Sequence, residues 1–254
     1  MPSLTTDQRS VTFDPPPADG VLRHLGYTGC VRLPVQIDAP RLYEEIAALP
    51  EETWRRGDTG PVVQASVRSV HAIGYQSATR PNPPEDRPVL AHLPALRRLL
   101  RETIPASPIR ARIAVMDGKG LIPIHTDSPR DFSSTLRLSI QIHSGGRQPF
   151  FCNGLWYEFQ EGEIWVVDNL RPHGLSNPGT SERANVIADY VPSSELLELL
   201  AKGDHGLGRR DSAAQERLER ITNERHRQLR WAYLKYGAQK FFRRYIRPPK
   251  PTSA

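Results

Sequence analysis

Between residues 107 and 192 the chain reads as eight short apolar runs divided by turn chemistry, and this crowding of brief strands restricts the fold more than any other feature. The runs are IRARIAVM, GLIPIH, TLRLSIQIH, PFFCNG, LWYEFQ, EIWVVDN, HGLSN and RANVIADYV. DGKG, SPRDFSS, SGGRQ, EG and NPGTSE separate them. Gly supplies positive φ in such links, while Pro, Asp, Asn and Ser favour tight reversals. Links this short leave no room for crossover helices, so the strands must pair antiparallel. The reading is a mainly β fold with flanking helices, whose core is a double-stranded β-helix of jelly-roll, cupin-like type.

The flanks differ in texture. FDPPPADG makes residues 1–20 an irregular lead-in. YTGCVRLPVQI (27–37) reads as a strand and APRLYEEIAALP as a helix stopped by Pro50. PVVQASVRSVHAIGY (61–75) alternates like a strand or hairpin, and PNPPEDRP (81–88) is a loop. VLAHLPALRRLLRET has helical spacing with Pro94 as an interruption. From Ser212, a candidate cap, a helical pattern places Leu218, Ile221, Leu229, Ala232 and Tyr236 on one side, with Gly237 a weak point. The expected organisation is a unit at 1–205, with its β-helix core at about 107–192, and a basic helical C-terminal extension at 206–254.

Charge is uneven. Net charge is +6, yet residues 206–250 hold 13 Lys/Arg against 4 Asp/Glu, leaving 21 against 24 elsewhere. The basic character belongs to the tail, and no base-reading motif accompanies it, so nucleic-acid binding is unsupported. No apolar run approaches a membrane span, and the first residues lack the order of a secretory signal. Two cysteines, Cys30 and Cys152, are too few for a disulfide framework, and a reducing cytosol is the expected compartment.

LIPIHTDSPRDF carries His125 and Asp127 two positions apart, on one face if the chain stays extended. Alone, an H-x-D pair is as easily an exposed turn as a metal site. A second stretch, GEIWVVDNLRPHGLSNPGTSERANVIADY, adds His173 and Arg183. A hairpin pivoting near Gly179 would set Leu175 opposite Arg183 and His173 opposite Asn185, with His173 and Arg183 diagonal neighbours about 7–8 Å apart. A one-residue slip would break that register. Two His and one carboxylate with open positions is the facial arrangement of non-haem Fe(II) oxygenases. An inward Arg needs an anion, best met bidentately by a carboxylate such as the far end of 2-oxoglutarate. The competing reading of Arg183 is an ordinary edge-strand arginine.

IPIHTD, GEIWVVDNLRPHGLSN and ERANVIADYV resemble the aspartyl/asparaginyl β-hydroxylase-like branch of the Fe(II)/2-oxoglutarate-dependent dioxygenases, which includes free-amino-acid hydroxylases such as proline cis-4-hydroxylase. The resemblance spans roughly residues 60–192. It implies catalytic iron ligands His125, Asp127 and His173, co-substrate binding by Arg183, and O2 as the second co-substrate. Asp127 retains the carboxylate ligand, which implies hydroxylation rather than halogenation. Arg137 matches a family arginine that meets a carboxylate of substrate or co-substrate. Ser139 stands where many members have His, and its hydroxyl can still donate a hydrogen bond.

His71 and Arg68 are candidates to line the mouth and bind substrate, against the plainer reading of surface residues. Trp156 and Trp165 read as packing, and Asp168 and Asp189 as turn or backbone partners. The expected function is hydroxylation of an unactivated C–H of a free amino acid or small derivative. The alternatives are a hydroxylase of carrier-tethered or protein residues, served by an acidic carrier protein docking on the tail, and a metal-binding barrel that oxidises nothing. For the tail itself, covering the core comes first, then homodimer formation through Trp231, Leu234, Phe241 and Phe242.

Overall fold

The computed structural model describes residues 10, 11, 13, 17–56, 66–74, 84–224, 227 and 234. Among the described residues, ten strands form two antiparallel sheets. The larger has the order β1 (Cys30–Gln36), β8 (Glu163–Val167), β5 (Leu136–Ser144), β10 (Arg183–Val191), β3 (Ser107–Met116), β2 (Val67–Ile73). The smaller has the order β4 (Leu121–His125), β9 (His173–Ser176), β6 (Gln148–Cys152), β7 (Leu155–Phe159). From β3 to β10 the chain passes back and forth between the sheets, the winding of a double-stranded β-helix. All eight runs read from the sequence are strands.

Alternation along TLRLSIQIH explains how the large sheet acquires two unlike faces. Leu136, Leu138 and Ile140 point one way and Arg137, Ser139 and Gln141 the other. The register aligns Arg137 with Asp189, Ser139 with Ile187 and Gln141 with Asn185. On β3 it aligns Arg110, Arg112 and Ala114 with the same β10 residues. One face is therefore polar and turned to the small sheet. The other carries Leu138, Ile113, Val186 and Tyr190, all buried in the main core. Each such aliphatic side chain contributes about 1.5–3 kcal/mol on burial.

Helices cover that apolar face. Asp38 caps α2 (Ala39–Ala47) by accepting from Arg41 N at 3.2 Å, and Leu42 and Ile46 enter the core. Pro94 does not interrupt a helix; it opens α3 (Pro94–Arg98), where its missing N–H costs nothing. Glu45 on α2 accepts from Ala95 N and Leu96 N at 2.8 and 3.2 Å, satisfying the exposed first-turn donors. The preceding Pro88–His92 is a 3-10 turn and Leu99–Thr103 a wider π turn. Ser193 caps α5 (Ser194–Ala201), accepting from Leu196 N at 3.0 Å.

Residues 212–224 are helical. The cap is Asp211, whose Oδ1 accepts from Ala214 N at 2.8 Å, and not Ser212. Leu218 and Thr222 are buried, whereas Ile221 is exposed, so the inward face is narrower than the pattern predicts. Leu234 is exposed. Leu229, Trp231, Ala232, Tyr236, Gly237, Phe241 and Phe242 lie outside the described residues. No helix among the described residues is long and apolar enough to cross a membrane.

The expected β9–β10 hairpin does not form. β9 pairs with β4 and β6 in the small sheet, while β10 pairs with β3 and β5 in the large one. His173 is aligned with His125 and Cys152, not with Asn185. Each strand finds two partners this way, and both sheets bury their inner faces, which an isolated hairpin cannot do.

Candidate active site

His125 closes β4, Asp127 lies just beyond it, and His173 opens β9, so the triad gathers at one end of the small sheet. One ligand atom from each falls within 4.8 Å of the others. The imidazole centroids are 4.3 Å apart, and His125 Nε2 stands 4.0 Å from Asp127 Oδ1. Gly174 permits this approach of β4 and β9, since a Cβ there would lie 3.0 Å from Ile122 O.

Each His is oriented by the backbone carbonyl two residues before it. His125 Nδ1 lies 2.9 Å from Pro123 O, and His173 Nδ1 lies 2.9 Å from Arg171 O. A carbonyl only accepts, so Nδ1 carries the hydrogen and Nε2 keeps its lone pair for a cation. Burial, with His125 beside it, pulls His173 down to about 4, so it is neutral near pH 7.

Asp127 is held from the other side. Its Oδ2 accepts from Arg137 Nη1 and, at 3.0 Å, from Asn169 Nδ2. Burial pushes this carboxyl upward, but Arg137, His173 and the Asn169 hydrogen bond more than offset it, so it is held below the usual carboxylate range. Oδ1 is left towards the histidines. Two imidazoles with Nε2 free and one ionised carboxylate suit a divalent metal of the Fe(II) type.

Arg183 is 2% exposed and faces the polar side of β10 with Asn185. Its Nη2 donates to Gln141 Oε1 at 3.3 Å, while Nε and Nη1 have no hydrogen-bond partner among the described residues. Burial lowers the guanidinium to about 9, still cationic at neutral pH. A buried cation with two idle donors is costly until an anion meets it, and a carboxylate matches their fork. The residues thus fit both a metal and a dicarboxylate. Ser139 belongs to the same row, its Oγ accepting from Gln141 Nε2 at 2.9 Å and Asn185 Nδ2 at 3.4 Å.

The remaining sequence candidates divide. Arg137 points into the site, but its three nitrogens meet carboxylates: Nε and Nη2 donate to Asp189 at 2.8 and 3.0 Å, and Nη1 to Asp127. Phe132 lies over its guanidinium at 4.2 Å. His71 aligns with Arg112 on the site-facing side of β2. Arg68, three residues earlier, is on the opposite face, paired with Glu182 at 2.8 Å and lying over Trp54. It is not brought to the site.

Asp189 is no turn residue: it is buried and also pairs with Arg110 at 3.2 Å. Asp168 accepts from Arg23 Nε at 3.2 Å. Trp165 is buried packing, its Nε1 donating to Glu163 at 2.8 Å. Sequence reasoning missed Asn169, which no local pattern marks, and Gln141, which shares strand parity with Arg137 and Ser139.

The double-stranded β-helix thus encloses a two-His, one-Asp triad whose donor set suits an Fe(II)-type centre, together with a buried arginine suited to a carboxylate. Residues 83–192 match the aspartyl/asparaginyl beta-hydroxylase family model. No curated protein matches. A 2OG-Fe(II) oxygenase-family oxidoreductase from Burkholderia pseudomallei is 19% identical, with 67% of this chain and 86% of that one covered and a TM-score of 0.46. A Pseudomonas putida prolyl-4-hydroxylase gives 14% identity, 68% and 97% coverage, and 0.42. A Trichoplax adhaerens prolyl hydroxylase, in complex with a hypoxia inducible factor oxygen degradation domain peptide fragment, gives 10%, 74% and 93%, and 0.43.

Proposed function

We propose that this protein is an Fe(II)/2-oxoglutarate-dependent oxygenase that hydroxylates an unactivated C–H of a free amino acid or small amino-acid derivative. Fe(II) would be held by Nε2 of His125 and His173 and by Oδ1 of Asp127; with 2-oxoglutarate and O2 it supplies the oxidising power to insert oxygen into a C–H bond. The carrying observation is Arg183, a buried cation with two idle donors inside the cage that holds the triad. It would take the distal carboxylate of 2-oxoglutarate, leaving the 2-oxo acid end for the metal.

The chain's own part is orientation. The Nδ1 contacts fix both imidazoles, and Arg137 and Asn169 hold Asp127 to one free oxygen. Ser139 and Gln141 set the Arg183 row. Arg110, Arg112 and His71 lie on the site-facing side and give it a basic cast, which supports a carboxylate-bearing substrate. In this reading the dioxygenase unit would span 1–205, with 206–254 as an appended extension.

The test is anaerobic purification with Fe(II), then a panel of amino acids with 2-oxoglutarate and O2. Mass spectrometry reads the gain of one oxygen in the substrate and the formation of succinate. Product from a free amino acid supports the proposal. Turnover only on a carrier-bound or polypeptide residue replaces it with the macromolecular reading, and metal binding without succinate sinks both.

A further inference from the structure

We propose that Gln148 forms a second half of the co-substrate anchor, its side-chain amide donating beside Arg183 to the distal carboxylate. The inference rests on the 2-oxoglutarate reading above.

Gln148 is the first residue of β6 and is 1% exposed. Its Nε2 and Oε1 are both buried, and neither has a hydrogen-bond partner among the described residues. A primary amide carries two donors and one acceptor with two lone pairs, so leaving all of them idle is expensive. Native structures rarely bear such a cost without a ligand, an ordered water or a catalytic reason.

Its direction follows from strand parity. Gln148, Phe150 and Cys152 share one face of β6. Phe150 and Cys152 pack with Trp165 and Val167 of the opposing sheet, so that face is the cage interior. Its level follows from the connection. β5 ends at Ser144, which is aligned with Arg183, and only Gly145, Gly146 and Arg147 intervene before Gln148. Cys152, at the other end of β6, is aligned with His173. One end of this strand thus marks the metal and the other the Arg183 end. Four residues at about 3.3 Å span about 13 Å of backbone, which side chains from both ends shorten towards the length of a five-carbon diacid.

The other interior glutamine is committed. Gln141 donates to Ser139 and accepts from Arg183. Gln148 alone of the two has donors to spare, and a carboxylate has lone pairs for Nε and Nη1 of Arg183 together with one amide N–H.

The test compares 2-oxoglutarate with 2-oxopentanoate, which has the same metal-binding end and no distal carboxylate. Both are titrated anaerobically into metal-loaded wild type and Gln148→Met, and the melting temperature of the metal-free proteins is recorded. We expect 2-oxoglutarate to bind about 10- to 100-fold more weakly to the variant, the size of one hydrogen bond to a charged group. Binding of 2-oxopentanoate should be unchanged, and the variant should melt no lower than wild type. Equal weakening of both acids, or of neither, overturns the role of Gln148. Should Gln148→Met fail to fold, Gln148→Glu is read the same way, since its carboxylate would engage Arg183 and exclude 2-oxoglutarate selectively. Failure of wild type itself to bind 2-oxoglutarate overturns the functional proposal as well, so the two failures are distinguishable.

Discussion

Asn169 grips Asp127 twice: its carbonyl accepts Asp127 N–H at 3.0 Å, and its side-chain amide donates to Asp127 Oδ2 at 3.0 Å. The pair fixes which carboxylate oxygen faces the histidines. Asn169→Ala should therefore fold but bind Fe(II) about 10- to 100-fold more weakly, the usual loss when a ligand's supporting partner is removed. Anaerobic metal titration checks this; unchanged affinity would show that Arg137 alone suffices.

Asp189 lies buried between Arg137 and Arg110, contacted at 2.8, 3.0 and 3.2 Å. Removing the anion leaves guanidinium charge in a desolvated place. Asp189→Ala is expected to lose about 3–5 kcal/mol of stability. Urea unfolding reads the loss as a lower midpoint at constant slope.

Arg183 is a buried cation with two donors unmet among the described residues, a cost that co-substrate binding there would relieve. Arg183→Met should melt no lower than wild type when neither is loaded. Metal with 2-oxoglutarate at about 100 times its Kd should stabilise wild type by about 2.7 kcal/mol and the variant by far less. A thermal-shift series distinguishes this from a purely structural arginine, whose loss would lower both melting curves alike.

The C-terminal helix reaches the metal strand. Ile124 N donates to Thr222 Oγ1 at 3.2 Å, one residue from His125, on the edge strand of the small sheet. Thr222→Val keeps the shape and removes the acceptor. It should cost about 1–3 kcal/mol and weaken Fe(II) binding, because the strand carrying His125 loses its tie. A drop in melting temperature with metal affinity intact would confine the helix to covering the sheet.

Cys30 and Cys152 are free and buried, and burial with Cys152 nearby holds the Cys30 thiol well above its ordinary range. A raised thiol has less reactive thiolate at a given pH. Native protein at pH 8 should react slowly with an aromatic disulfide reagent and release two thiols promptly in denaturant. Fast native labelling would place these side chains nearer solvent.

Much of the site was visible in short stretches of chain. Two-residue alternation exposed the strands of 107–192, and H-x-D with a later His named three side chains that do converge. Parity also separates Arg68 from His71, since residues three apart on a strand face opposite ways, and the structure puts them on opposite faces. Only one of the two can therefore face the cage. The Pro94 and Asp211 helix starts were equally local, each a matter of one residue's donor or acceptor.

The sequence by itself determined which residues are apolar in alternation, where turns fall and which groups can bind a metal, because these depend on neighbours within a few bonds. The tertiary structure decided that β9 and β10 join different sheets, that Asn169 supports Asp127, and that Gln148 is buried inside the cage. A strand offers the same row of donors and acceptors to any partner, and the choice is made by burying both sheets' inner faces at once. That gain is shared by residues far apart in the chain and so leaves no mark on any one segment.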